Sequence, residues 1–416
     1  MRAKALQVLM NKKHSRIILD PVHGFIPLSP IQEELLSQPE VQRMRWVKQL
    51  GVTDLVFPGG HHSRIEHCLG ASFIAGQMSD HLGLPENEKT FLQAAALLHD
   101  IGHTPFSHVL EPLLPKDSME STRDMIEGRK EIPLPNAGKI PAILEKFGIN
   151  PKDISDLICH CYAGKKYLQQ IIFSELDCDQ LDYLARDSYF TGAGHGQINI
   201  QRLISVMRLD SDEIFFLEKG VAEIEEYIVG KEHMYGTVYL HHTNNAATKM
   251  LLRAFEKLSG KFPDFLYMTD GEVISALLNG TPYTKDIAQR VLFRRLFKTV
   301  FEISSRSAAK KEIEVIKKLS EKGEKAIEKE LSKAAGIPEG YLFVHLPANV
   351  LSLTEPRMKT FNINFLRKNG TKINIMDISS IATAVSKRIP TRELFAVYAP
   401  EKYLEQAQHA AKEIFN

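Results

Sequence analysis

Apolar residues recur three and four positions apart through most of the chain as far as Leu296, which predicts a succession of amphipathic or buried helices. Before them, residues 14–30 alternate around Asp20-Pro21 and Gly24 and read as a short hairpin or extended arm. Ser29-Pro30 gives a cap and a proline for a helix over 30–37, and a second over 39–50 ends at Gly51. Helices over 64–82 and 88–101 are joined by GLPENE, and Gly102 breaks the second. Thr104-Pro105 repeats the cap signal and predicts a helix carrying Phe106, Val109 and Leu110 inward.

The periodicity continues over 118–127, 140–147, 151–160, 165–187 and 199–208, with GAGHG at 192–196 as a turn. DSDEIFFLEKG predicts a hairpin turning at Lys219-Gly220, followed by a long helix over 221–259 and shorter ones over 270–279, 283–290 and 290–297. Residues 306–335, dominated by Lys, Glu and Ala, read as an exposed helical connector. YLFVHLP, NINFLRK and KINIMDI then have strand character, LRKNGTK is a hairpin turn, and 400–415 forms a last amphipathic helix. The expected architecture is mainly α. An all-α domain with an N-terminal extended arm fills 1–305, a charged helical linker 306–337, and a small α+β unit 338–416.

Composition narrows the partners. The 416 residues carry a formal net charge of +1, from 52 basic and 51 acidic residues, which argues against a whole-surface nucleic-acid or membrane footprint and leaves a small anion as the expected partner. Cys68, Cys159, Cys161 and Cys178 lack CxxC spacing and read as cytosolic thiols. Cys159-His160-Cys161 resembles a metal knuckle, but no second pair accompanies it, so its reading is structural. The N-terminal residues lack a signal-peptide core, and no run of about 18 apolar residues occurs. These features predict a soluble, cytoplasmic protein with no membrane partner.

The chemistry concentrates between Gly60 and His108, in GHHSRIEHCLG and ALLHDIGHTPFSH. His99 and Asp100 stand where a strongly apolar helix stops, and burying both without a partner costs several kcal/mol. Neighbours on a helix diverge by roughly 100°, so both reach one ion only if the helix ends there, as Gly102 permits. His67 comes from the adjacent helix, and SELDCDQLDYLARD at 174–187 is the obvious source of a fourth ligand. Within it Asp179, Tyr183, Arg186 and Asp187 share one face. Imidazoles and carboxylates together suit a divalent ion such as Mn, Mg, Fe, Zn or Ni, without choosing among them. His103 and His108 follow the ligands closely enough for one to protonate a leaving alkoxide.

HxxRxEHxxG at 61–70, HDIGHTPFSH at 99–108 and DxLDYLxRD at 179–187 together resemble the HD-domain metal-dependent phosphohydrolases, in their deoxynucleoside-triphosphate triphosphohydrolase branch. The resemblance implies an all-α HD domain and hydrolysis of a deoxynucleoside triphosphate to deoxynucleoside and triphosphate. It implies His67, His99, Asp100 and Asp179 as metal ligands, Arg64 on the substrate phosphates, and His103 and His108 beside the scissile bond. Gln49, Leu50, Tyr183 and Asp187 match residues that read the deoxyribose, Tyr183 by blocking a 2′-hydroxyl and Asp187 by bonding the 3′-hydroxyl. His242, beside His241 and Tyr239, is read as pocket wall, and Arg186 as a structural partner of an acid. Family members commonly assemble, so a homo-oligomer and a nucleotide effector are expected partners.

Three departures bear on the substrate. Met119-Glu120 stands where the family has His-Glu, Gln180 replaces a phosphate-binding lysine, and Val238 stands about where a relative has arginine. Loss of two cations weakens the case for a triphosphate tail. The competing readings are a nucleotide phosphomonoesterase or single-strand nucleic-acid phosphohydrolase, favoured by Gln180 and Val238, and a nucleotide-sensing module with little turnover, favoured by Met119.

Overall fold

In the computed structural model, which describes residues 16–304, 310–346, 361–387 and 393–415, strands β1 (Ile17–Asp20) and β2 (Gly24–Pro27) form the arm, paired antiparallel with Leu19 opposite Phe25. Helices α1 (Pro30–Leu36) and α2 (Pro39–Arg43) follow. The second predicted helix is shorter than its periodicity suggested, because the chain tightens into a 3-10 turn at Met44–Trp46. The N-terminal residues read as lacking a leader lie outside the described residues.

Helices α3 (Arg64–Leu82) and α4 (Glu86–Leu98) form the centre. Ile65, Cys68, Ala71, Ile74, Ala75 and Met78 of α3 are buried, as are Leu92 and Ala94 through Leu98 of α4. Such burial on nearly all sides requires neighbours on several faces. One neighbour is α9 (Cys178–Thr191), reached after α5 (Ser118–Ile126), α6 (Ile140–Lys146), α7 (Pro151–Ile158) and α8 (Lys166–Ile172). The helix predicted over 165–187 is broken at Phe173, which is extended, and restarts when the Asp177 carboxylate accepts from the Gln180 amide. Gly70 lets α3 and α9 meet, since a Cβ there would lie 1.8 Å from Asp182 Oδ1 and 2.5 Å from Arg186 Nη2.

After α10 (Ile200–Ser205), β3 (Met207–Asp210) and β4 (Glu213–Leu217) form a hairpin that turns at Ser211 and Asp212, not at Lys219-Gly220. The predicted helix over 221–259 divides into α11 (Val221–Met234), a π turn at Tyr235–Tyr239 and α12 (His242–Glu256), which restarts where the His241 ring accepts from the Thr243 amide. Helices α13 (Asp270–Leu278) and α14 (Pro282–Leu292) come next.

Two differences follow from pairings remote in sequence. The chain after α14 becomes β5 (Lys298–Ser304), antiparallel to β9 (Glu393–Ala399), which also pairs with β6 (Phe343–His345). Helices α15 (Lys310–Lys322) and α16 (Glu324–Ala335) bury Ile316, Ile327 and Leu331 in the same cluster as that sheet and α19 (Leu404–Phe415), so the charged segment is amphipathic. Strands β7 (Asn364–Leu366) and β8 (Lys372–Asn374), the predicted Asn-Gly hairpin, extend the β3–β4 sheet through a parallel β4–β7 pairing. The short helices α17 (Ile375–Ile378) and α18 (Ser380–Lys387) cap that side. The fold is mainly α with small sheets, and among the described residues no helix is long and apolar enough to cross a membrane.

Candidate metal centre

The first donor arises at the start of α3. Ser63 caps the helix reciprocally with Glu66, whose Oε2 lies 2.6 Å from the Ser63 amide and 2.8 Å from its hydroxyl, so Glu66 serves the helix end and leaves Arg64 free of it. One turn on, His67 is fully buried, and its Nδ1 lies 2.9 Å from Asp182 Oδ2. Helix α4 ends at Leu98, and His99 turns its Nδ1 to the Ala96 carbonyl at 2.8 Å. Gly102 is required just beyond, because a Cβ would lie 2.3 Å from the Ser118 carbonyl oxygen and 2.4 Å from Thr122 Oγ1. Its amide donates instead to that hydroxyl at 3.0 Å, seating α5 against the turn.

With both Nδ1 atoms donating hydrogen bonds, the neutral imidazoles present lone pairs on Nε2, and the two Nε2 atoms are 3.2 Å apart. Asp179 Oδ1 lies 3.0 Å from His67 Nε2 and 3.6 Å from His99 Nε2. Asp100 Oδ1 is 3.3 Å from His99 Nε2, and its Oδ2 is 3.6 Å from His67 Nε2. Four acceptors converging this closely repel one another unless cations lie among them. Two imidazoles and two carboxylates fit a divalent metal ion in chemistry and in convergence. Without one, protons take its place: burial disfavours a charged His67, yet hydrogen bonds to Asp179 and Asp182 prevail and raise its pKa to about 10. Burial likewise opposes ionisation of Asp100, but Arg64, His99 and His103 hold its carboxyl well below the usual range.

Arg64 is buried with its Nη1 2.5 Å from Asp100 Oδ2, its Nε 2.7 Å from Ser107 Oγ and its Nη2 3.3 Å from His108 Nε2. The helix predicted to begin at Thr104-Pro105 is absent. Phe106 and Ser107 both adopt left-handed backbone angles, with φ of 56° and 60°, at a cost of about 1–3 kcal/mol each. The turn is held from outside: Asp270 Oδ1 accepts from the Phe106 amide at 2.6 Å, and Ser107 Oγ donates to the Lys48 carbonyl at 2.5 Å. This turn places His103 and His108 with their rings edge to face, 4.7 Å apart, on one carboxylate. His103 Nδ1 is 2.7 Å from Glu111 Oε1 and His108 Nδ1 is 3.0 Å from Glu111 Oε2. Burial would raise the Glu111 pKa, but these two imidazoles hold its carboxyl well below the ordinary value. His103 Nε2 reaches Asp100 Oδ1 at 3.1 Å, linking the two clusters.

The residues read as sugar contacts flank this centre. Asp187 is buried, with Oδ1 2.8 Å from His62 Nε2 and Oδ2 2.7 Å from the Tyr239 hydroxyl, and Tyr239 meets Tyr183 edge to face at 6.3 Å. Gln49 has a buried Oε1 without a hydrogen-bond partner, and Leu50 packs partly buried against the main core. His242 stacks on His241 at 4.4 Å at the start of α12, and the side chain of this stretch that reaches Asp187 is Tyr239, delivered by the π turn. Arg186 pairs with Asp182 at 2.9 Å and Asp20 at 2.8 Å rather than with Asp187.

The sequence reading missed Asp182, Glu111, His62 and Asp270. Asp182 binds His67, Arg186 and the His23 ring of the arm, and its spacing three residues after Asp179 was the available signal. Val238 is wholly buried in the core and does not line the centre. The cation near position 180 is Lys231 of α11, whose ammonium donates to Gln180 Oε1. Met119, at the first turn of α5, is exposed.

A family model for the HD domain matches residues 64–187, and one for the HD associated region matches residues 198–416. The uncharacterized protein YwfO of Bacillus subtilis is 37% identical over 250 residues, 58% of this chain and 56% of its own. The deoxynucleoside triphosphate triphosphohydrolase SAMHD1 homolog of Dictyostelium discoideum is 28% identical over 323 residues, 70% of this chain and 61% of its own. The chain thus spans less than two thirds of each of these relatives. A crystal structure of a hypothetical protein from Aquifex aeolicus superposes with a TM-score of 0.72 at 25% identity, covering 95% of this chain and 99% of that one. The chain belongs to the HD-domain phosphohydrolases that carry the HD associated region.

Proposed function

We propose that the protein hydrolyses deoxynucleoside triphosphates to deoxynucleoside and triphosphate, using a divalent metal held by His67, His99, Asp100 and Asp179. The observation that carries this reading is the convergence of the four donors, with Arg64 and His103 on Asp100 and with His103 and His108 both held by Glu111. A bound divalent ion supplies Lewis acidity to a phosphoryl oxygen and lowers the pKa of a water molecule. Arg64 neutralises oxygen charge on the α-phosphate. His108, oriented through Nδ1 by Glu111, offers Nε2 to protonate the 5′-oxygen as the bond from phosphorus to that oxygen breaks. Lys231, beside Gln180, restores a cation to the wall where the sequence had suggested none, and so supports a polyphosphate tail.

The name of the Dictyostelium relative, a deoxynucleoside triphosphate triphosphohydrolase homolog, supports the same reading. The second reading, a nucleotide-binding module with little turnover, is favoured by Met119, which stands exposed in the first turn of α5 where the family motif has a histidine. A substrate panel separates the two. Deoxynucleoside and ribonucleoside triphosphates, deoxynucleoside monophosphates and short oligonucleotides would each be incubated with Mn, Mg, Fe, Zn or Ni and the products resolved by chromatography. Stoichiometric triphosphate and deoxynucleoside are expected; free phosphate released from monophosphates alone would overturn the proposal.

A further inference from the structure

The turn from Ile101 to His108 is gripped at both ends by side chains from outside the HD domain match. At its start, the buried Arg43 of α2 donates from Nη2 to the Ile101 and His103 carbonyls at 2.9 and 2.7 Å, and from Nη1 to the Met268 carbonyl at 3.1 Å. At its end, the buried Asp270 of α13 accepts the Phe106 amide on Oδ1 at 2.6 Å and the Lys48 amide on Oδ2 at 3.0 Å. An acid in the first turn of a helix ordinarily serves that helix. Here Thr269 and Glu272 already cap α13 reciprocally, with the Thr269 amide donating to Glu272 Oε2 at 2.7 Å. Asp270 is spare, and each of its oxygens serves a different remote segment.

We infer that Asp270 is a positioning residue for hydrolysis, lent to the HD domain by the HD associated region: its carboxylate ties the Phe106 and Lys48 amides together and so fixes where His108 and Arg64 stand. The contacts close a ring. The Lys48 carbonyl accepts from Ser107 Oγ, that oxygen lies 2.7 Å from Arg64 Nε, and the Arg64 amide donates to the Val47 carbonyl at 2.9 Å. Phe106 and Ser107 both have left-handed backbones, which persist only where the surroundings over-determine them. Freed from Asp270, the turn would relax, taking His108 off Glu111 and the Ser107 hydroxyl off Arg64.

The chemistry calls for a carboxylate. Two N–H donors point at the side chain, and an ionised carboxylate accepts both, whereas an amide of the same shape accepts one and turns its own NH2 group toward the other. Burial pushes the Asp270 pKa up to about 6, against the two amides and the Lys48 and Arg43 charges, so the group is ionised at neutral pH. What the clamp serves rests on the function proposed above, but the clamp itself is independent of it.

The test compares the full chain with Asp270→Asn. In the variant kcat for a deoxynucleoside triphosphate with Mn should fall about tenfold or more, the effect of a misplaced catalytic group, with KM within about twofold and metal content unchanged. Unchanged kcat, a rise in KM with kcat preserved, or loss of metal would each overturn the inference. Hydrogen exchange, resolved to single residues by mass spectrometry, needs no turnover: the Phe106 amide should be protected in the unmodified chain and exchange about fivefold or more faster in the variant, the loss of one hydrogen bond. An unprotected Phe106 amide in the unmodified chain overturns the clamp even if the variant fails to fold. If the unmodified chain hydrolyses no deoxynucleoside triphosphate, the proposed function fails, and amide exchange still decides the clamp.

Discussion

Two regions bury charge in opposite ways. Between α12 and the C-terminal sheet, Lys249 and Arg253 meet Glu324 and Glu328 at 2.5 to 3.0 Å, and the same carboxylates accept the Val344 and Leu346 amides at 3.1 and 2.9 Å. Donors face acceptors, and the network closes on itself. At the candidate metal centre the contacts among His67, His99, Asp100 and Asp179 bring imidazole Nε2 and carboxylate oxygens together at 3.0 to 3.6 Å, acceptor against acceptor when the imidazoles are neutral. Both regions are rich in ionisable groups, so the number of charges does not tell a structural network from a cation site. The sense of the hydrogen bonds does, because only the second arrangement needs a metal ion, or added protons in its place, to reconcile its acceptors.

The comparison can be broken most severely at the centre. Asp179→Ala should abolish bound metal, measured by elemental analysis, together with hydrolysis; full metal retention would show that Asp179 is not a ligand. Asp182→Asn leaves the four donors in place but disturbs the acceptor that orients His67, and should weaken metal affinity about 10- to 100-fold in a competition titration. An unchanged affinity would mean that His67 is oriented by packing alone. Arg253→Met in the closed network should cost about 1–2 kcal/mol of stability in a denaturant titration, because it leaves two partly buried carboxylates each short of a donor, with metal content unaltered. Metal loss in that variant would erase the distinction between the regions.

The smallest effect concerns His345, at the edge of the closed network. Its Nδ1 is buried without a partner, and burial together with the Lys249 charge lowers its pKa to about 4. The unfolded chain, with an imidazole near 6.5, therefore binds the extra proton between about pH 6.5 and 4. Stability is full above that window and falls through it by about 1–3 kcal/mol, then levels below pH 4. His345→Leu should flatten the fall in melting curves taken across the window; the same slope in the variant would assign it to other groups.

Helix positions from α3 to α10, apart from the break at Phe173 between α8 and α9, and the Asn-Gly hairpin were legible because each rests on local signals: a cap, a periodicity, a turn residue. Thr104-Pro105 misled because a hydroxyl followed by proline opens a helix or a turn equally well, and the choice was made by Asp270 and the Lys48 carbonyl, which no local pattern encodes. The charged segment over 306–335 looked like a connector because its apolar residues are sparse. It was the sheet of β5, β9 and β6 that buried Ile316, Ile327 and Leu331, and β5 itself had no local partner to announce it.

The sequence by itself determined which residue types stand at the helix ends and in what order, and so the family and the donor set that the structure brings together. Tertiary structure decided the rest: that Asp182 rather than Asp187 takes Arg186, that Tyr239 and His62 hold Asp187, and that Lys231 rather than residue 238 stands by Gln180. The reason is physical. A cap or a motif is fixed by neighbours a few bonds away, whereas the partner of a buried charge is whichever side chain helix packing brings within about 3 Å.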